Sequence, residues 1–240
     1  MKEKTKNIIE QRMDSLFSNF SYFVKVYYDK EKFLGPSFYF YKKVIDTIRT
    51  TNNYKKLKDN NIFFEYMYAA LTSWGMHRMD QGALLQDFDL FKKNIINEFS
   101  TLEELSHYKL SEFDNLSESK IKALLTKIFI NINIMRSSSK LVGDSKAFHF
   151  LLPDLIPPMD RKNIIKFFYN RDNYKKEEEV KIFLEILDKF CFINKKLNLD
   201  QNNFTGCWDT SIPKIIDNAI IGYFIETKQS EQKVEELIEK

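Results

Sequence analysis

Apolar residues recur at intervals of three and four along most of the chain, which is the spacing of an amphipathic helix. The first such pattern runs from residue 8 to residue 28 and includes Ile9, Met13 and Leu16. Residues 62–74 are apolar on most faces, which predicts a buried central helix. Further helices are predicted over residues 37–49, 84–99, 117–135, 144–152, 161–170, 175–197 and 211–225, with a separate polar tail helix after the last.

Residues that end or cap helices mark the predicted boundaries. The sequence Leu34-Gly35-Pro36 ends the first helix, and Gly75, directly after Trp74, suits a helix C-cap. The segment Thr101-Leu102-Glu103-Glu104 has the form of a capping box, and Ser117 suits the N-cap of the helix that follows it.

The predicted fold class is all-α, with a compact arrangement of many helices. Only 6 Gly and 5 Pro are present in 240 residues, too few for the turns of a β-sandwich. Residues 1–240 are expected to form one globular unit, and the alternative is two helical lobes, 1–98 and 99–240, with a cleft between them. A hydrophobic content of 43% supplies ample material for a core.

Charge and composition exclude several classes of protein. The formal net charge of +3 is compatible with a phosphate-binding face but does not establish one. Two cysteines, Cys191 and Cys207, rule out a disulfide scaffold. The charged N-terminus lacks the apolar stretch of a signal peptide, and no run approaches the roughly 18 apolar residues of a membrane span. We therefore expect a cytoplasmic protein with free thiols and without membrane association. The sequence leaves the oligomeric state open, and a monomer is favoured.

Sequence motifs for a metal ion or a nucleotide cofactor are absent. His77, His107 and His149 stand far apart, and the two cysteines lack CxxC spacing. No GxxxxGK[ST], GxGxxG or GxSxG sequence occurs. The expectation is no metal and no cofactor.

The segment 145–168, SKAFHFLLPDLIPPMDRKNIIKFF, is the strongest candidate for chemistry. Three of the chain's 5 prolines fall between Lys146 and Asp160. Pro153 must end the helix that carries Lys146, and Asp160 suits the N-cap of the next helix. A short helix with an extended return can bring the amine and the carboxylate into one cleft. The alternative is a plain helix–elbow–helix connection with Lys146 on the surface.

This segment resembles the catalytic segment of helix-hairpin-helix DNA glycosylases, and is most similar to the bacterial and archaeal 8-oxoguanine glycosylase/lyases. The resemblance is carried by Gly143-x-x-Lys146-Ala147, by His149-Phe150-Leu151 and by Asp160-Arg161 ahead of an apolar helix, and it covers residues 99–168. The hairpin's usual LPG[VI]G is reduced here to Leu141-Val142-Gly143, and the cysteines of an iron–sulfur cluster are missing.

The resemblance implies removal of a damaged or modified base in DNA repair or anti-phage defence. Lys146 would attack C1′ of the sugar, and the Schiff base formed would permit AP lyase activity. Asp160 would stabilise the positive charge that develops on the sugar. Duplex DNA would be the partner, held through its phosphates by residues of the hairpin region and the following helix: Lys140, Gly143, Arg161, Lys162 and Lys166.

A base that has left the helical stack needs an aromatic pocket. The residues expected to form this base pocket are Trp74, Met76, His77, Arg78, Phe148, His149 and Trp208. For residues 74–78 the alternative is a helix end anchored by Trp74, and for His149 it is a hydrogen-bonded core histidine. Asp217 lies inside an apolar helix, so we expect it to pair with a Lys or Arg from the core segment.

Two other functions remain open from the sequence. One is a non-catalytic helical module that binds nucleic acid or protein on a glycosylase-like scaffold. The reduced hairpin favours it. The other is an unrelated helical enzyme that acts on a small molecule.

Overall fold

The predicted all-α class is confirmed by a computed structural model, which describes residues 3–30, 34–51, 53–78, 83–112, 118–137 and 139–238, with side chains described up to residue 228. Extended pairing among these residues is confined to the isolated bridges Arg78–Ala83 and Leu85–Met135. The α-helices are α1 (Glu3–Ser18), α2 (Phe20–Lys30), α3 (Pro36–Thr50), α4 (Asn61–Leu71), α5 (Phe88–Asn97), α6 (Phe99–Leu105), α7 (Glu118–Asn131), α8 (Leu141–Leu151), α9 (Lys166–Tyr169), α10 (Glu179–Leu197) and α11 (Ile212–Ile238).

Shorter helical turns connect these elements. Two π-helical turns, Thr72–Met76 and Arg161–Ile165, follow α4 and precede α9 respectively. The 3₁₀ turns are Tyr54–Asp59, Leu110–Glu112, Lys176–Glu178 and Gln201–Asn203.

The ends of the chain depart from the predicted helices. The single helix predicted over residues 8–28 is broken at Asn19, whose side-chain amide donates a hydrogen bond to the carbonyl of Ser15 at 3.2 Å. At the other end, the predicted break after residue 225 is wrong, because α11 continues to Ile238. A Cβ at Gly222 would collide with the backbone carbonyl of Phe23, so glycine there allows α11 to lie close against α2.

Helix α5 begins later than predicted. Residues 84–86 pair with residues 134–136 instead of forming its first turn: the Arg136 N–H donates to Leu84 O at 2.7 Å, and the Gln86 N–H donates to Ile134 O at 2.8 Å. The capping box is also wrong, since α6 begins at Phe99 and Thr101 lies inside it. The Ser117 cap falls outside the described residues.

One continuous cluster of buried side chains includes residues from both sides of position 98. It extends from Leu16 in α1 to Phe224 in α11 and contains fully buried rings such as Phe63, Phe148 and Phe183. The division into two lobes stays a prediction. Cys191 and Cys207 are both free thiols. None of the described helices is long and apolar enough to pass through a bilayer.

Candidate active site

The proline-rich segment folds back along the helix that precedes it. Pro153 follows the end of α8, and the N–H groups of Leu155 and Ile156 both donate to the carbonyl of Leu152, which reverses the chain. Two side chains of α8 hold the returning segment: His149 Nδ1 lies 2.7 Å from the carbonyl of Ile156, and the Met159 N–H donates to Ser145 Oγ at 3.2 Å. Pro153, Pro157 and Pro158 are all buried.

The hydrogen bond from the Met159 N–H to Ser145 Oγ joins the segments that carry Lys146 and Asp160. Ser145 and Met159 are their immediate chain neighbours, 14 residues apart in the sequence. Lys146 and Asp160 line the same cavity, which has a volume of about 620 Å³. The two residues therefore line one cavity, and a buried hydrogen bond joins the segments that carry them.

Lys146 is half-buried and projects toward Trp74. Its Nζ lies 3.4 Å from the Trp74 carbonyl oxygen and 5.7 Å from the centroid of the Trp74 ring. No ion pair joins Lys146 to a carboxylate in the described part of the chain. Burial lowers the pKa of Lys146 from its ordinary value, because the charged form is deprived of water. Such a shift enlarges the fraction of neutral, nucleophilic amine.

Asp160 is the N-cap of the turn Arg161–Ile165, as its position in the sequence predicts. Its Oδ1 accepts the N–H of Asn163 at 2.6 Å, and its Oδ2 accepts from the Asn163 side-chain amide at 3.0 Å. Capping leaves the carboxylate half-buried at the cavity wall, so the structural role and a chemical role are compatible.

The cavity has aromatic walls and a cationic edge. Tyr27, Trp74 and Trp208 supply the rings, and Met76 and Met159 add apolar surface. Trp208 is buried, with only 3% of its surface exposed. Its indole N–H has no acceptor among the described residues. Three cationic side chains are both exposed and part of the lining: Arg78, Arg161 and Lys162.

The cavity also contains a buried ion pair that the sequence did not reveal. Lys214 Nζ lies 2.6 Å from Asp217 Oδ2, and both residues are on α11. The expected partner of Asp217 is a Lys or Arg from the core segment, whereas the lysine found lies on its own helix. Residues three apart share a helix face, so Lys214 reaches Asp217 without any help from tertiary structure. Burial raises the pKa of Asp217 to about 6.

Two residues of the expected base pocket, Phe148 and His149, lie away from the cavity. Successive residues of a helix are rotated by about 100°, so Phe148, two positions after Lys146, faces another element. His149 is three positions after Lys146, but its ring bonds to Ile156 and Tyr41 instead of lining the cavity. The Phe148 ring packs against Phe129 and Phe183 in the core. His149 is fully buried, as the core alternative predicts: its Nε2 lies 2.9 Å from Tyr41 Oη, and burial lowers its pKa to about 3.

Some of the other predicted contact residues line the cavity and some do not. Of the hairpin and helix residues expected at DNA, Gly143, Arg161 and Lys162 line the cavity, whereas Lys140 and Lys166 do not. Lys166 Nζ instead lies 5.7 Å from the centroid of the Phe224 ring. His77 is also outside the lining, although its neighbours Met76 and Arg78 belong to it.

Gly143 forms part of the first turn of α8 rather than an open loop. A Cβ at this position would collide with the side chain of Met135, so glycine allows the 132–137 segment to pack closely on the helix start. Val142 and Gly143 both line the cavity, so the N-terminal end of α8 lies at the cavity wall.

Within the described residues, no three His, Cys, Asp or Glu side chains are grouped so that they can hold a metal ion. Comparisons with known protein families, with curated proteins and with solved structures each gave no match. The geometry of the cavity is therefore the only guide to function.

Proposed function

We propose that the protein is a DNA glycosylase with AP lyase activity, in which Lys146 is the nucleophile and Asp160 the charge-stabilising carboxylate. The observation that carries the proposal is their presence on one cavity, with Lys146 half-buried and without an anionic partner in the described chain. The volume of about 620 Å³ lies within the range of small-ligand pockets, roughly 300–1,000 Å³.

The neutral amine of Lys146 attacks C1′ of the nucleoside, and the N-glycosidic bond breaks with its electron pair leaving on the base. Asp160 stabilises the positive charge that develops on the sugar ring and helps to pass a proton to the departing base. The sugar then opens to a Schiff base between Nζ and C1′. Loss of a C2′ proton eliminates the 3′ phosphate, and water finally releases Lys146.

The cavity lining suits an extruded base. Trp74, Trp208 and Tyr27 offer faces for stacking, which is worth about 1–3 kcal/mol per base. The unpaired indole N–H of Trp208 is a donor that a base acceptor can satisfy. Arg78, Arg161 and Lys162 at the exposed edge would neutralise the flanking phosphates.

Lys162 lies at the exposed edge of the cavity, and of the two lysines farther inside, Lys146 is the better nucleophile. The Lys214 ammonium donates to Asp217 Oδ2 at 2.6 Å and to Asn218 Oδ1 at 2.7 Å. These two bonds occupy two of the three ammonium hydrogens. The only polar contact of Lys146 among the described residues is the Trp74 carbonyl.

Borohydride trapping tests the proposal. The protein is incubated with duplex oligonucleotides that carry 8-oxoguanine, other modified bases or an abasic site, and the Schiff base is reduced. We expect a covalent adduct with the wild type and with Lys181→Gln, whose side chain is 75% exposed, and none with Lys146→Gln. Absence of an adduct on every duplex, with DNA binding intact, would contradict the enzyme and favour a binding module.

A further inference from the structure

Lys214 and Asp217 lie in the candidate active site, but the proposed reaction does not use them. Both are almost fully buried, with 3% and 4% of their surface exposed. Removing two charges from water is costly unless each is well paired. Away from its exposed edge, the cavity contains the ammonium groups of Lys146 and Lys214 and the carboxylates of Asp160 and Asp217, which can pair in more than one way.

Further hydrogen bonds and aromatic rings support the ion pair between Lys214 and Asp217. Lys214 Nζ donates to Asp217 and to Asn218 Oδ1, and the side-chain amide of Asn218 in turn donates to Asp209 Oδ1 at 3.1 Å. Aromatic rings surround the same ammonium: Nζ lies 5.3 Å from the centroids of both Tyr27 and Trp208. Cation–π attraction adds to the two hydrogen bonds.

Both carboxylates that line the cavity with Lys146 thus accept from other donors. Asp160 accepts the N–H and the side-chain amide of Asn163, and Asp217 accepts Lys214. We propose that Lys214 is a positioning residue: by holding Asp217, it keeps Lys146 without an anionic partner and its amine available for attack. This inference deepens the proposed function and rests on Lys146 being the nucleophile.

The charges around Lys146 act in the directions that this role requires. Burial is the largest influence and lowers the Lys146 pKa. The carboxylates Asp160 and Asp217 raise that pKa, whereas the cations Arg78 and Lys214 lower it. Removing Lys214 takes away a lowering charge and at the same time frees Asp217 to pair with Lys146.

Three variants give different expected results. In Lys214→Met the unpaired Asp217 turns to Lys146, and the Lys146 pKa rises by about one unit or more, as expected for an opposite charge at close range. In Asp217→Asn the Lys146 pKa falls below that of the wild type. In the double variant, where both charges are gone, it returns toward the wild-type value.

Competitive acetylation measures the Lys146 titration without DNA. The full-length protein is labelled with acetic anhydride over a series of pH values, and labelling of Lys146 is compared by peptide mapping with that of the exposed Lys181. A Lys146 pKa in Lys214→Met that is unchanged or lower than the wild type overturns the proposal. Lys214→Arg keeps the cation, so the wild-type titration should persist. If Lys214→Met does not fold, the Lys146 pKa in Asp217→Asn tests the proposal instead. A Lys146 pKa that is not lower there than in the wild type overturns the proposal.

The same variants link the inference to the reaction. One pKa unit changes the neutral amine tenfold, so trapping by Lys214→Met at pH 7 should fall by about tenfold and recover at higher pH. A merely structural role would reduce trapping equally at all pH values. Because acetylation requires no DNA, a failure of the proposed glycosylase would leave the titration shifts intact. Failure of the inference would instead leave wild-type trapping intact.

Discussion

The Met159 N–H donates a hydrogen bond to Ser145 Oγ at 3.2 Å, and this bond holds the returning segment against α8. Ser145 is fully buried, so the donor has no access to water as a substitute. The adjacent residues in each segment are Lys146 and Asp160. A small hydroxyl group therefore joins the two halves of the candidate active site.

Replacing Ser145 with alanine removes the acceptor and leaves a buried N–H unpaired. The expected loss in the free energy of unfolding is about 1–3 kcal/mol, measured by urea denaturation. Ser106→Ala is the control, since its hydroxyl only adds a bond to the carbonyl of Glu103 near the end of α6. Equal stability of the two variants would contradict the importance assigned to the Ser145 bond.

Asp160 has a structural role and a proposed chemical role, and two substitutions separate them. Asparagine is as good an N-cap as aspartate, so Asp160→Asn should keep its stability, whereas Asp160→Ala should lose about 1 kcal/mol. Base excision should fall by about 10²–10⁴-fold in both variants. Single-turnover excision and thermal unfolding are the measurements. Wild-type excision by Asp160→Asn would mean that the residue is a cap only.

Gly75 positions the start of the cavity edge and adopts the left-handed helical conformation, with φ of +79° and ψ of +23°. A Cβ there would meet the guanidinium of Arg78, the end of a flexible, exposed side chain that can shift. Gly75→Ala should cost about 1–2 kcal/mol from backbone conformation and weaken DNA binding, because Arg78 must move. Gly35→Ala is the control: φ is +72° there and the space around it is open, so it should lose stability without weakening DNA binding. Equal DNA binding by the two variants would show that crowding at Gly75 has no effect.

His149 predicts a dependence of stability on pH. The Ile156 carbonyl can only accept, so His149 Nδ1 carries the proton and Nε2 accepts from Tyr41. The folded pKa is about 3, below the ordinary 6.5, so below pH 6.5 the unfolded chain binds the proton first. Stability from this residue is therefore complete above pH 6.5 and is lost as pH falls toward 3.

The measurement is the difference in the free energy of unfolding between wild type and His149→Gln across this range. Asp217 has a raised pKa of about 6, so its contribution to stability increases as pH falls toward its ordinary pKa. Both proteins contain Asp217, so this contribution cancels in the difference. The difference should shrink on acidification, by at most ~1.4 kcal/mol for each pKa unit. A pH-independent difference would contradict a neutral, buried His149. His107→Gln, at an exposed position, should match the wild type.

Features encoded by neighbouring residues could be predicted from the sequence. The amphipathic helices follow from apolar spacing, and the Asp160 cap follows from its place after two prolines and ahead of an apolar helix. The pairing of residues 84–86 with residues 134–136 could not be predicted from the sequence, because the two segments are far apart in the chain. The absence of a helix break near residue 225 has a local cause, since no proline or glycine follows Gly222.

Only part of the cavity lining could be predicted from the sequence, because its residues come from segments that are far apart in the chain. The sequence indicates Lys146, Asp160, Trp74 and Trp208, but adjacency in sequence also places Phe148 and His149 with them. Helical rotation turns Phe148 away, and His149 bonds to Ile156 and Tyr41 instead. Lys214 was missed because the packing of α11, not its sequence, brings it to the cavity. A lysine and an aspartate three residues apart in an apolar helix were the available signal.

The most direct test of the account is the identity of the residue that carries the trapped sugar. Trypsin normally cuts after Lys140, Lys146 and Arg161, but it cannot cut after a modified Lys146. After borohydride reduction, nuclease treatment and digestion, mass spectrometry should find the sugar remnant on a single peptide that spans residues 141–161. A remnant on Lys214, on the N-terminal amine or on an exposed lysine such as Lys181 would contradict the assignment of Lys146 as the nucleophile.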